Sequence, residues 1–578
     1  MDAGKTDLCG GGVRTPAHLP QGWWAGTIVA LCATGMALVA AFISLSLSRE
    51  YYSQAPYHYD SAAYRVDALE IYDALQSQGL KMAALLALGT KDSFDLLLRL
   101  LVVPDALQHR YGHMVILVPV MALFMVMTSL YVFRSTGRIA IALLCPATLF
   151  TYQLFYNAYW GIADYWKDNL ATWLLGSALM AWLFSEDMRK RGWSIVAGLL
   201  LGMTAMQRTS GAVYAAVLLS PLFAWAVVVR CRAEGIRKGL LRTAAFLLPA
   251  VLLGALLLCM QAQQLYDYYF KGGYAYGTSA DVLRFLLSGI SPRLAQPVQN
   301  FFPGTEYGIG LAPLLLVPGY LLAFVAARGW SLRKEDINKT LWCALGLPLI
   351  LIAASLYYYG AFALWPVLLV VFLATLLAHT STSPLAHALT LVLALSIATG
   401  SVYAYHDHTS RNRAIVGRSA GYRTLLIELA TLITDDPADP RPYATFFNET
   451  GAPFTNHARF DLGRKIGPPA VFITFHDQYF RRTFPGMTSD EIVASEMSRL
   501  ESQPNAIAIA HADTAHLYQP TSDPIASAAI LGFHHHLYNN PRWQIVNDLP
   551  SPFGPLLIYR LVPVTTGTPE LAAPELAH

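Results

Sequence analysis

Apolar and polar positions fall in long blocks along this chain. Largely apolar runs of roughly 15–23 residues, enough for a helix to cross most or all of about 30 Å of hydrocarbon, recur near residues 24–46, 112–133, 139–156, 170–184, 193–208, 211–229, 243–262, 308–327, 340–356, 361–379 and 386–404. The pattern predicts eleven membrane spans. Between the first two, Ser61 to Gln78 sets Ala62, Val66, Leu69, Ile71, Tyr72 and Leu75 at mostly helical spacing among Arg65, Asp67, Glu70, Asp73 and Gln76, the mark of an amphipathic helix. A second, Leu-rich helix is expected from Ser93 to Val103, stopped by Pro104. Both suit the interface plane, with their apolar sides in the headgroup region. Beyond Asp407 no membrane-length run occurs, and short β-type runs (Val471–Phe475, Ala506–Ala510, Gln544–Val546, Leu556–Tyr559) alternate with helical stretches (Thr424–Thr434, Ser489–Leu500, Ile525–Tyr538). The expected fold class is a polytopic α-helical membrane protein over residues 1–405, then a soluble α/β domain over 406–564 and a disordered tail over 565–578.

Composition agrees. The chain is 55% hydrophobic and 13% charged, with a mean hydropathy of +0.40, which excludes an ordinary water-soluble globular protein. The net charge of +3 is sorted by loop and forms no single basic patch, so the expected partners are membrane lipids and not nucleic acid. Basic clusters follow the even-numbered spans: Arg134 and Arg138; Arg189, Lys190 and Arg191; Arg230, Arg232, Arg237, Lys238 and Arg242; Arg328, Arg333, Lys334 and Lys339. The positive-inside rule then makes the N-terminus cytoplasmic. Loops 47–111, 157–169 and 263–307 and the C-terminal domain fall on the outer face. All six cysteines lie in predicted spans or cytoplasmic segments, leaving the outer domain without disulfides, and none has zinc-site spacing. The first 22 residues hold Gly10-Gly11-Gly12 and no apolar core of their own, so the first span is expected to be an uncleaved anchor.

The outer face gathers the candidate chemistry. Asp60 stands in His58-Tyr59-Asp60-Ser61-Ala62-Ala63-Tyr64, at the start of the first amphipathic helix, and a second acidic site, Asp164-Tyr165-Trp166-Lys167-Asp168, precedes the fourth span. Each has a structural alternative: Asp60 or Ser61 as the helix cap, Lys167 as a salt-bridge partner of Asp164 or Asp168, and Arg208 as a snorkelling residue at the end of the fifth span. Carboxylates also suit a divalent cation, although no ligand set here is dense. His534-His535-His536 would point in three directions on a helix. The loop 263–307 is rich in Tyr, which reads either as an interfacial belt or as sugar-stacking surface.

Several motifs occur in order: Tyr59-Asp60-Ser61-Ala62-Ala63-Tyr64; Lys167-Asp168-Asn169-Leu170-Ala171-Thr172-Trp173; Gly198-Leu-Leu-Leu-Gly202 running to Gln207-Arg208-Thr209; Tyr307-Gly308-Ile309-Gly310; and Tyr357-Tyr358-Tyr359-Gly360 before Trp365-Pro366. In these the chain resembles the GT-C superfamily of membrane glycosyltransferases, in the bacterial branch related to protein mannosyltransferases and lipid A aminoarabinose transferases. The likeness covers roughly the first 380 residues, and Ser61 stands where that family often has a second acid. It implies a glycosyltransferase that moves a sugar from a polyprenyl-phosphate donor to a lipid, glycan or protein acceptor at a bacterial plasma membrane. Asp60 and Asp168 would be catalytic, Arg208, Lys167, Tyr64, Asp164 and Arg65 would bind substrate, and a divalent metal is a possible cofactor. A transporter or flippase of a lipid-linked glycan, and a non-catalytic membrane scaffold with a binding domain, stand as rival expectations.

Overall fold

The computed structural model describes residues 23–53, 59–90, 93–158, 161–266, 361–378, 384–418, 421–434, 443–445, 484, 486–502, 506–511, 524–549 and 555–562. Spans 308–327 and 340–356, the strand at Val471–Phe475, nearly all of the aromatic loop and the tail lie outside the described residues.

The chain enters through α1 (Trp23–Tyr52). It continues through three shorter helices, α2 (Tyr59–Gln78), α3 (Leu80–Gly89) and α4 (Ser93–Val102). The helix α3 is an addition to the expected pair. Gly79, at φ 84°, takes the left-handed turn that separates it from α2. Ala68, Ile71, Ala83, Ala87, Leu96 and Leu100 close a small core among these three helices. The helix α5 (Met114–Thr136) ends at the left-handed Gly137, whose N–H is donated to the Phe133 carbonyl at 2.7 Å. The expected span 139–156 is cut short, because α6 (Ile139–Thr148) carries Pro146 in its last turn and gives way to two tight 3-10 turns.

The helix α7 (Lys167–Ser185) is buried at every position except Leu183. It is enclosed by α5, α8 (Arg191–Gln207), α9 (Thr209–Glu234) and α11 (Ala361–Ala378). Sequence hydropathy marks it as one more span; in the fold it is the central post. Next to it, α8 packs closely on α10 (Ile236–Tyr266). Gly198 and Gly202, one turn apart, permit this: a Cβ at Gly198 would lie 2.0 Å from the Phe246 carbonyl oxygen, and one at Gly202 would lie 2.8 Å from the Leu253 side chain. Small residues at this spacing are how helices approach when no water drives them together.

Among the described residues, four helices are long and apolar enough to cross a membrane: α1, α5, the Ile236–Ala262 part of α10, and the Pro384–Ala414 part of α12 (Pro384–Arg418). Their outward faces are apolar too, with Leu31 and Phe42 on α1, Val251 and Leu252 on α10, and Leu391 and Leu395 on α12 all exposed. Such surfaces suit lipid as solvent. The helix α12 also runs unbroken past residue 404, so the boundary expected near residue 405 lies inside a helix.

At one end of the bundle, Glu186, Asp187 and Met188 form a left-handed turn with φ of 52°, 56° and 65°. Each such non-glycine residue costs roughly 1–2 kcal/mol. Arg230 offsets this by donating to the Asp187 and Glu186 carbonyls at 2.8 and 3.0 Å, and Arg242 donates to Met188 at 3.2 Å.

After α12 come α13 (Tyr422–Thr434), β1 (Tyr443–Thr445), α14 (Ser489–Glu501), β2 (Ile507–His511), α15 (Pro524–Asn539), β3 (Trp543–Leu549) and β4 (Leu556–Leu561). The strands form a mixed sheet in the order β1-β2-β4-β3, parallel at β1/β2 and antiparallel elsewhere, with a bulge between Ile545 and Asn547. A capping box of Thr488 and Glu491 starts α14. Ile492, Met497 and Leu500 from that helix meet Phe533, Trp543 and Tyr559 in one core.

The glycine packing yields a paired prediction. Gly198→Ala should destabilise the protein by about 1–3 kcal/mol through overpacking. Gly254→Ala, on a helix position with nothing within 4 Å of the new Cβ, should stabilise it by about 0.5–1 kcal/mol. Thermal melting in detergent must show opposite signs; equal shifts would refute the close α8–α10 contact.

Candidate functional site

The end of the bundle opposite the left-handed turn is where α1 finishes, α2 and α4 begin, α7 starts and α8 stops. The 161–166 segment lies across it in tight turns: the Ile162 N–H is donated to the Leu154 carbonyl at 3.0 Å, and the Trp166 N–H to the Asp164 carbonyl at 2.7 Å. These turns bury Asp164 completely. Its Oδ1 accepts from the Tyr52 hydroxyl at 2.9 Å and lies 4.0 Å from the buried Arg65 guanidinium. Burial pushes the Asp164 carboxyl up to about 7, against the opposing pull of Arg65, Ser61 and Tyr52. A carboxyl in that range exchanges its proton near neutral pH, as a general acid or base must.

The two charges that open α7 point apart, as neighbours on a helix do. Lys167, buried, reaches α2: its Nζ is 3.8 Å from the Tyr64 ring centroid and 3.9 Å from Asp67 Oδ2. Among the described contacts its acidic partner is Asp67, on α2. Asp168 instead receives Arg208, whose Nε lies 3.0 Å from Oδ1. Arg208 is no snorkelling residue on a helix, because α8 ends at Gln207, α9 begins at Thr209, and Arg208 between them is extended, with φ −155° and ψ 121°. The break turns its side chain inward, leaving it 17% exposed.

Of the residues expected from the sequence, Asp164, Arg65, Lys167, Tyr64, Asp168 and Arg208 are thus gathered at one end of the bundle. Asp60 occupies the second position of α2, one turn before Tyr64; its side chain lies outside the described residues. Sequence reasoning missed a layer behind them. Asp95 and Arg99, one turn apart on α4 and both buried, form an ion pair at 2.5 Å. The Tyr165 hydroxyl is donated to Asp95 at 2.7 Å and also meets Arg99. His113 stacks on Tyr165 with ring centroids 4.9 Å apart. The one available signal was an acid and a base at i, i+4 inside an apolar helix, where a charge survives only if paired.

The C-terminal half also reaches this end. Arg423 on α13 is donated to the Tyr52 and Ser53 carbonyls at 3.3 Å, capping the last turn of α1. On α12, Asn412 is donated to the Tyr156 carbonyl at 2.8 Å. A separate cleft between α14 and α15 is lined by Asp490, Glu501, His535 and His536. There Glu501 accepts from His536, Asn540, Trp543 and Arg542 at 2.8–3.3 Å, which makes it a structural hub. Among the described residues, no three His, Cys, Asp or Glu side chains are grouped to hold a metal ion.

Compared with known proteins, the chain matches no family model and no curated relative.

The raised Asp164 pKa has a definite consequence. A carboxyl whose folded pKa lies above its unfolded value favours folding fully at low pH, and that contribution is lost as pH rises from about 4 through about 7. The melting temperature should therefore fall over this window in the wild type and fall less in Asp164→Asn. Identical pH profiles would show that Asp164 is ionised throughout.

Proposed function

We propose that the chain is a GT-C-like membrane glycosyltransferase, transferring a sugar from a polyprenyl-phosphate donor to a lipid, polysaccharide or protein acceptor. The observation that carries this reading is the gathering of Arg65, Lys167, Arg208, Asp164 and Asp168, from α2, the 161–166 segment, the start of α7 and the α8–α9 break, at one low-water end of an apolar bundle. Sugar transfer from a phosphate carrier breaks the anomeric C–O bond, and the electron pair departs on the phosphate. Cations placed there stabilise that charge, and a carboxylate accepts the proton of the incoming hydroxyl. In this reading Asp60 is the base, Arg208 with Lys167 and Arg65 faces the phosphate, and Asp168 orients Arg208. Tyr64 lines the substrate-binding surface, and Asp164, fully buried, holds the Arg65 side chain from behind in place of touching substrate.

The same reading places eleven spans in a bacterial plasma membrane, with the N-terminus cytoplasmic and an α/β domain outside. Charge placement supports it. Arg189, Arg230 and Arg242 crowd around the left-handed turn, and Arg134 stacks on Phe184 close by, 5.0 Å from the ring centroid. The acid-rich site and the Arg423 and Asn412 contacts lie at the opposite end. Positive-inside sorting then puts the site outside.

Two experiments test this. Asp60→Asn should abolish transfer with melting unchanged, and Arg208→Ala should weaken donor use about 10–100-fold, the worth of one charge-assisted phosphate contact, with Arg208→Lys recovering part. Wild-type turnover in Asp60→Asn refutes the base. In a cysteine-free background, cysteine at Ser522 should react with an impermeant thiol reagent in intact cells and cysteine at Ser135 should not; the reverse pattern inverts the topology.

A further inference from the structure

Gln207 is the last residue of α8, directly before Arg208, and is 1% exposed. Its side-chain amide uses both of its functions across helices. Oε1 accepts from the Asp95 backbone N–H at 3.0 Å, and Nε2 is donated to the Lys167 carbonyl at 3.4 Å. On the same seam the Ser93 hydroxyl is donated to the Met206 carbonyl at 2.9 Å. The N–H groups of a helix's first turn have no partner within the helix, and Gln207 supplies one for α4 from another helix.

The amide therefore links the residues that precede both members of the Asp168–Arg208 pair: it bonds Lys167, which precedes Asp168, and belongs to Gln207, which precedes Arg208. The chain leaves helical geometry at Arg208, so the direction of the guanidinium depends on where the final turn of α8 is held. The Arg208 N–H still bonds the Thr204 carbonyl at 2.9 Å, which ties the residue to that turn.

We infer that Gln207 is a positioning residue that sets the Asp168–Arg208 geometry by locking the end of α8 to the starts of α4 and α7. Within the proposed function, on which its kinetic consequence rests, it aims Arg208 at the donor phosphate. No smaller change keeps the arrangement. Asn is too short to span both partners, Glu keeps the acceptor but turns a second oxygen toward the Lys167 carbonyl, and Met keeps only the volume. Asp95 enters the same lock, because its carboxylate holds Arg99 and the Tyr165 hydroxyl, and Tyr165 follows Asp164.

The deciding experiment has two arms on the purified full chain. In the first, Gln207→Met is melted in the wild type and in the charge-free background Asp168→Asn/Arg208→Met. If the amide holds the pair, its loss should lower the melting temperature about twice as much with the pair present, since groups in one network are energetically coupled. Equal losses mean a merely structural amide and overturn the inference. This arm needs no substrate, so it stands even if no glycosyl transfer is found.

In the second, transfer from a synthetic polyprenyl-phosphate sugar is followed in Gln207→Met and Gln207→Glu. Misaiming a positioned group by about 1 Å costs on the order of 100-fold, so Gln207→Met should lose about 10–100-fold in kcat/KM for the donor, with acceptor KM unchanged and Gln207→Glu intermediate. An active wild type with donor kinetics unaltered by Gln207→Met overturns the inference. A wild type with no transfer overturns the proposed function and leaves the first arm to decide.

Discussion

The burial of α7 on every side is the constraint from which the rest of the described fold follows. A helix with neither lipid nor water at its surface must be walled by other helices, and α5, α8, α9 and α11 supply the walls. That enclosure brings the first turn of α7, with Lys167 and Asp168, into a place where an unpaired charge costs several kcal/mol. Each charge has accordingly been met: Lys167 by Tyr64 and Asp67 on α2, and Asp168 by Arg208. Removing one partner of the largely buried Asp168–Arg208 pair typically costs about 3–5 kcal/mol, whereas Lys167–Asp67, at 3.9 Å and with Asp67 41% exposed, is the weaker tie.

Close helix approach and charge placement are coupled. Gly198 and Gly202 let α8 lie against α10, and α8 seated there ends at the level where Arg208 meets Asp168. A Gly-x-x-x-Gly segment that reads as part of a catalytic signature thus has a packing role of its own. At the other end of the same helix pair the left-handed turn at Glu186–Met188 stores strain that Arg230 and Arg242 offset by bonding its carbonyls. The α7–α8 hairpin is pinned at both ends, and an interior that transmits displacement poorly tolerated by packed side chains makes its register common to both.

The layer behind the candidate site shows why a local motif search is incomplete. Asp164 is fully buried, and that burial raises its pKa against the opposing pull of Arg65, Ser61 and Tyr52. Tyr52 is itself held from the far side by Arg423, more than 350 positions later in the chain. The C-terminal half is therefore joined to the site's supporting structure through the end of α1.

Long apolar runs, the basic clusters between them and a helix from Ser61 to Gln78 were legible from the sequence, because helix length against bilayer thickness and a 3.6-residue period are local properties; that this helix buries Arg65 and is not sharply two-faced was not. So was the concentration of acids and cations near residues 60, 164–168 and 208. The pairing among them was not. Adjacent charges such as Lys167 and Asp168 diverge on a helix, and their partners come from α2 and from the break after Gln207, separations that no local pattern encodes. The α3 turn after Gly79, the short α6 ended near Pro146, and the passage of α12 through residue 405 are likewise decided by tertiary packing, which selects among helix ends that propensity leaves nearly equal in energy.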